Sequence, residues 1–136
     1  DHAPHTLEEK SRPYAQCPSG GPLVQHALVA MLELVHEGVY TVEQVVEKMC
    51  HAPARLFKVH RRGFVREGHA ADLVLVDPQA PWVVTKENLL YKCGWSPFEG
   101  TRFRSRVLRT WVNGRTVFAD GRVDDAVRGE RLIFER

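Results

Sequence analysis

Asp1-His2-Ala3-Pro4-His5-Thr6-Leu7-Glu8-Glu9-Lys10 is the stretch on which the reading of the fold turns. A carboxylate and an imidazole stand four residues apart with Pro4 stiffening the turn between them, so Asp1 and His5 can serve one reacting centre from two sides. Taken alone, that spacing favours a plainer reading, a capped turn with a surface histidine. No initiator methionine precedes Asp1, and the expectation is the C-terminal portion of a longer protein. Residues 1–22 also hold Pro13, Pro18, Gly20, Gly21 and Pro22 among scattered charges, a composition that resists regular structure. It predicts one long ordered loop, and loops of that length often carry function.

From Leu23 the pattern changes. Val24, Ala27, Leu28, Met31, Leu32 and Val35 recur at helical spacing and Gly38 follows as a C-terminal cap, which predicts a well-buried helix. Thr41-Val42-Glu43-Gln44 matches a capping box, and Val42, Val45, Val46 and Met49 form the stripe of a second, amphipathic helix. Pro53 interrupts this pattern and suits the first residue of a short helical turn through Leu56 and Phe57. After Gly63 the period becomes that of strands. Asp72-Leu73-Val74-Leu75-Val76-Asp77-Pro78 is an apolar run between polar punctuation and predicts a buried strand. Residues 107–112 and 116–118 flank Asn113-Gly114, which tolerates positive φ at both turn positions, and should pair as a hairpin; Asp120-Gly121 makes the next turn.

The chain of 136 residues suits one domain, and its 43% apolar residues suffice for a modest core. The 19 basic and 17 acidic residues nearly cancel, which argues against nucleic acid or an anionic membrane as partner. Arg102, Arg104 and Arg106 alternate as one face of a strand would, with Arg109 nearby, and read as a solvated charged face. Cys17, Cys50 and Cys93 are odd in number and lack Cys-x-x-Cys spacing, so neither a disulfide framework nor a thiolate zinc site is indicated. A reducing, cytoplasmic setting fits best. No apolar run approaches the ~20 residues needed to span a bilayer.

The opening decapeptide resembles the catalytic segment of dihydroorotases, members of the amidohydrolase superfamily. The resemblance continues through Cys17-Pro18-Ser19-Gly20, Cys50-His51-Ala52-Pro53-Ala54, Gly68-His69-Ala70-Ala71-Asp72-Leu73-Val74 and Ser96-Pro97-Phe98-Glu99-Gly100. It implies an α/β fold: residues 1–60 as the C-terminal end of a (β/α)₈ metal-dependent hydrolase barrel, and residues 61–136 as strands of a small β-sandwich domain. In such barrels catalytic groups sit at strand ends, which puts Asp1 at the mouth with the following loop above it.

The activity so implied is the zinc-dependent, reversible cyclisation of N-carbamoyl-L-aspartate to dihydroorotate in pyrimidine biosynthesis. Asp1 would be a ligand of Zn2+ and the carrier of the proton. His5 would bind the substrate carboxylate, and Ser19 and Gly20 would touch the ring through backbone groups. Cys17 stands where the family more often has alanine, and a small thiol keeps the same contact. His2 would either orient Asp1 or pack structurally. The family draws its other metal ligands from a His-x-His pair, a carboxylated lysine and further histidines, and no His-x-His occurs here. His26, His36, His51, His60 and His69 read as structural or exposed, so the isolated chain is expected to be inactive.

Expected partners are the small-molecule substrate, the rest of the parent chain, and a further copy or aspartate transcarbamoylase. Two alternatives share the pattern. A hydantoinase or dihydropyrimidinase would act on another cyclic amide without needing an acid-binding imidazole at His5. A non-catalytic dihydroorotase-like scaffold subunit would need neither Asp1 nor His5.

Overall fold

A computed structural model describes residues 1–135. Its helices are α1 Leu7–Lys10, α2 Ala27–His36, α3 Val42–Val46 and α4 Ala52–Leu56, and its strands are β1 Leu73–Asp77, β2 Trp82–Val83, β3 Arg102–Phe103, β4 Arg106–Val112, β5 Arg115–Ala119 and β6 Arg122–Val123. The chain divides into two units, each assembled from two stretches: Asp1–Glu33 with Gln79–Arg106, and Leu34–Pro78 with Val107–Arg136.

In the first unit, residues 1–22 are more regular than their composition suggests. Thr6 Oγ1 accepts the Glu9 N–H at 3.3 Å and Glu9 Oε2 accepts the Thr6 N–H at 2.8 Å, a reciprocal cap that starts α1. These hydrogen bonds from Thr6 hold the Glu9 carboxyl below the usual carboxylate range. A 3₁₀ turn, Tyr14–Gln16, follows. The expected long ordered loop therefore contains two short helical turns, because Thr6-Leu7-Glu8-Glu9 carries the same start signal as Thr41–Gln44.

β2 and β3 pair antiparallel with Trp82 opposite Phe103, and the Val84 N–H extends the ladder to Thr101 O at 3.0 Å. Arg102 and Arg106 fall on different strands. Arg104 lies on neither, and its guanidinium Nε is held by Glu33 at 2.8 Å. The alternation expected of one charged strand face is therefore broken by a bend.

The core of this unit is built around His26, which is completely buried. Its ring stacks on Trp82 and Phe103 and meets Tyr91 and Phe98 edge-on, all with centroids within 6.1 Å. Tyr91 Oη and Ser96 Oγ lie 3.3 and 3.2 Å from His26 Nδ1, and they also accept the Gln25 and Phe98 N–H groups. His26 Nε2 is buried without a partner among the described residues.

Burial pushes the His26 pKa down. The unfolded chain therefore binds this proton more readily than the folded one. Stability is complete above the unfolded histidine value of about 6.5 and falls as the pH drops below it. Urea midpoints at pH 7.5 and 5.5 should show this loss in the wild type and a smaller one in His26→Gln; equal losses would assign it to other groups.

α2 begins in the first unit and ends in the second. Gly38, at φ +74°, closes it: its N–H bonds Val35 O and the Val39 N–H bonds Leu34 O, a left-handed cap. Only Val29 on this helix is fully buried, and Val24 before it is exposed, which corrects the expected burial. The remaining residues of α2 from Ala27 to Val35 are half-buried, so its apolar faces are covered only in part among the described residues.

In the second unit Thr41 caps α3 as expected, with Gln44 reciprocating. The helical path does not restart at Pro53. It runs through a π-helical turn, Glu47–His51, into α4 with Pro53 near its start. Widening the turn just ahead of the proline accommodates a ring that has no N–H to give and would crowd a regular α turn. Val45 and Ala54 face the interior, while Val42 and Met49 remain largely exposed.

Two of the stretches singled out in the sequence meet here. Arg62 is ion-paired with Asp72 and also donates to Asn113 Oδ1 at 2.6 Å, while the Asn113 N–H donates to the other Asp72 oxygen at 2.8 Å. Asp72 thus fixes the tip of a hairpin forty-one positions downstream. Phe64 lies between the His51 ring, parallel at 4.3 Å, and the Arg66 guanidinium at 4.5 Å.

The sheet has the order β1-β4-β5-β6. The β4–β5 hairpin turns at Asn113 and Gly114 with φ of +50° and +75°, and β5–β6 turns at Asp120 and Gly121 with +52° and +76°. β1 is not the buried strand expected: Leu73, Val74 and Leu75 are each 39–49% exposed. An apolar strand is buried on both faces only when a layer covers each face, and the described residues do not provide both.

Candidate active site

The first twenty-one residues form a closed loop within the first unit. The Ala3 N–H donates to Gly21 O at 2.9 Å, joining the two limbs. At Gly20, φ is +85°, and a β-carbon there would lie 2.6 Å from Ala3 Cβ and 3.5 Å from Asp1 Oδ2. Only glycine allows this approach, and the approach lines one side of the Asp1 carboxylate with bare backbone. Asp1 Oδ1 accepts the His2 N–H at 2.8 Å, and the residue is otherwise exposed.

His2 orients Asp1 through its backbone. Its imidazole is occupied elsewhere: Nδ1 accepts the Leu23 N–H at 3.3 Å and the ring lies 5.5 Å from that of Tyr91. His5 sits just ahead of α1, with Nδ1 3.8 Å from Glu9 Oε2, so its Nε2 is left to meet a ligand. Its carbonyl accepts the Trp95 indole N–H at 2.7 Å.

The return limb is shaped by Lys10. Its Nζ donates to Pro18 O at 2.6 Å and Gly20 O at 3.1 Å, tying 10 to 20 across a tight ring. Cys17 Sγ lies 3.5 Å from the carbonyl oxygens of Lys10 and Pro18, packed as a small weak donor inside that ring. Ser19 is exposed at its outer end. Among the residues selected from the sequence, Asp1 and Gly20 are therefore brought side by side across the two limbs, Cys17 packs against the Lys10 and Pro18 carbonyls, and His5 is held further along the limb that bears Asp1.

Lys10 and Trp95 were not assigned roles from the sequence. Lys10 closes the quoted decapeptide, and Trp95 directly precedes the quoted run Ser96-Pro97-Phe98-Glu99-Gly100, so in both cases the signal was adjacency to a recognised motif. Ser96 itself is buried against His26.

Zinc needs four donors, three or more from protein in most sites. Among the described residues no three His, Cys, Asp or Glu side chains converge, and Asp1 offers a single carboxylate. These residues by themselves do not fit a zinc centre. No helix among them is long and apolar enough to cross a membrane.

The Amidohydrolase family pattern matches residues 17–117, and the chain belongs to that family, with its α/β amidohydrolase fold. Within the family its sequence is similar to dihydroorotases. It is 37% identical over 135 residues to the dihydroorotase of Pyrococcus horikoshii, covering 99% of this chain and 31% of that protein. It is also 37% identical over 123 residues to the multifunctional protein pyr1-3 of Dictyostelium discoideum, covering 90% of this chain and 5% of that one. Among solved structures it resembles the D-hydantoinase (dihydropyrimidinase) of a Thermus species, with a TM-score of 0.83 and 25% identity over 91% of this chain and 28% of that one. The chain thus spans about a third of the length of the Pyrococcus relative.

Proposed function

We propose that this chain is part of a dihydroorotase, interconverting N-carbamoyl-L-aspartate and dihydroorotate, with residues 1–60 contributing to a (β/α)₈ barrel and residues 61–136 to a β-sandwich domain. The observation that carries the reading is the loop in which the Asp1 carboxylate faces Gly20 on the return limb while His5, further along Asp1's own limb, is tied down by Trp95. The similarity to dihydroorotases over nearly the whole chain supports it. Asp1 would be one ligand of a bound Zn2+, which would supply Lewis acidity toward the amide carbonyl and the water. Its remaining ligands would come from polypeptide outside this chain, where a larger, multifunctional parent is also consistent with the Dictyostelium relative.

The residues present have separable tasks. In hydrolysis, water adds to the ring carbonyl, the carbon–nitrogen bond breaks, and Asp1 accepts the water's proton and returns it to the departing nitrogen. In cyclisation the same carboxylate takes the proton from the attacking ureido nitrogen. His5 binds the substrate's free carboxylate by a charge-assisted hydrogen bond. Gly20, lacking a side chain, lets the ring approach the backbone, with Ser19 and Cys17 completing that wall.

A hydantoinase reading is favoured by the solved structures this fold resembles. His5 separates the two. In the complete enzyme His5→Ala should raise KM for dihydroorotate by roughly tenfold or more, the worth of a hydrogen bond to a charged group, without impairing hydrolysis of dihydrouracil, which lacks the acid. An unchanged dihydroorotate KM, with efficient dihydrouracil turnover, would transfer the assignment to the hydantoinase class.

A further inference from the structure

We infer that Trp95 is a positioning residue that sets the acid-binding specificity of the site by fixing the backbone of His5. This rests on the dihydroorotase reading above. The indole N–H donates to His5 O at 2.7 Å across ninety positions of sequence. The far edge of the same ring, Cη2, lies 3.7 Å from where a β-carbon on Gly21 would stand. One side chain therefore touches both limbs of the loop, the one that bears His5 and the one that bears Gly20 and Gly21.

Position matters more for His5 than for its neighbours. His5 N–H bonds Ala3 O at 2.8 Å, a tight local turn, and α1 starts directly after it at the Thr6 cap. Among the described residues the Trp95 indole is the long-range hydrogen-bond donor to its carbonyl. A ring nitrogen that must meet a carboxylate within hydrogen-bond distance loses affinity when its backbone shifts by a few tenths of an ångström.

The restraint is itself anchored. The segment from Tyr91 to Phe98 packs on the buried His26 ring through Tyr91, Ser96 and Phe98, and Gln25 binds the Asn88 carbonyl and the Leu90 N–H through its side chain. Trp95 thus relays the rigidity of that core to the loop. Lys10 braces the Pro18–Gly20 limb separately and does not reach His5 O.

The test is kinetic and uses the complete enzyme. Trp95→Phe removes the donor together with the ring edge that meets Gly21, and the cycle with His5→Ala separates the two losses. Its KM for dihydroorotate should rise roughly three- to tenfold, the worth of a neutral hydrogen bond, with kcat within about twofold of wild type. In a double-mutant cycle the effect should vanish on the His5→Ala background, because Trp95 acts through that imidazole. A general structural role would add the same loss in both backgrounds.

Should Trp95→Phe fold poorly, replacing the Trp95 indole by its benzothiophene isostere keeps the bicyclic outline against Gly21, removes the N–H, and should give the same split. An unmoved KM in a folded variant, a loss confined to kcat, or full additivity with His5→Ala overturns the inference alone. A wild-type enzyme that does not turn over dihydroorotate overturns the functional reading and the inference with it.

Discussion

Asp1→Asn in the complete enzyme is expected to lower kcat for dihydroorotate by ~10²–10⁴-fold, the usual worth of a positioned general acid–base group, in both reaction directions. The carboxamide has nearly the shape of the carboxylate and keeps an oxygen for the His2 N–H, the contact that orients it at 2.8 Å. It also leaves undisturbed the approach of Gly20 to Ala3 that closes the loop. What it removes is basicity: an amide cannot hold the proton between the water and the ring nitrogen. KM should therefore stay within about threefold, since substrate affinity is assigned to His5 and to the backbone of the return limb. Steady-state kinetics with a near-ultraviolet dichroism control would measure this. A folded variant retaining more than about a tenth of wild-type kcat, outside the range for a general base, removes Asp1 as the proton carrier.

Gly63→Ala should cause the largest loss of stability from a single methyl group. Gly63 has φ +79°, and a β-carbon there would sit 2.4 Å from Ala54 Cβ and 2.8 Å from the Cys50 carbonyl oxygen. Both neighbours belong to the π turn and α4, whose backbone is fixed by its own hydrogen bonds, and Ala54 is itself buried. Neither can swing aside as a long side chain would. Gly68 provides the control, because it has nearly the same backbone, φ +76°, with nothing within 4 Å of the added carbon.

Gly68→Ala should therefore cost only the left-handed penalty of about 1–2 kcal/mol, and Gly63→Ala about 3–5 kcal/mol once the overpacking is added. Urea unfolding of the two variants side by side reads the difference. Equal losses would mean that the backbone near Cys50 yields and that the close packing contributes little.

These residues also mark the limit of what sequence discloses. The Asn113-Gly114 and Asp120-Gly121 turns, the Thr41 cap and the Gly38 stop were all legible, because each depends on bonds within a few positions. The Thr6 cap obeyed the same local rule and was obscured by the prolines around it. Pro53 was legible as a disturbance, but its remedy, a widened helical turn, was not, since that depends on how much the preceding helix can stretch.

Burial was the least legible property. Leu73, Val74 and Leu75 are as apolar as a core strand and half-exposed, whereas His26, for which the sequence left a structural and an exposed place open, is completely buried. Apolarity states what a residue tolerates, and the layers laid over it decide whether it is covered.

By itself the sequence determined the family and the local helices and turns, because those follow from residue chemistry and short-range hydrogen bonds. Only tertiary structure decided that Trp95 would hold His5, that Gly20 would face Asp1, and that His26 would be enclosed by Trp82, Tyr91, Phe98 and Phe103. Such pairings join positions up to ninety residues apart, and their geometry is set by how packed surfaces fit, which no local propensity specifies.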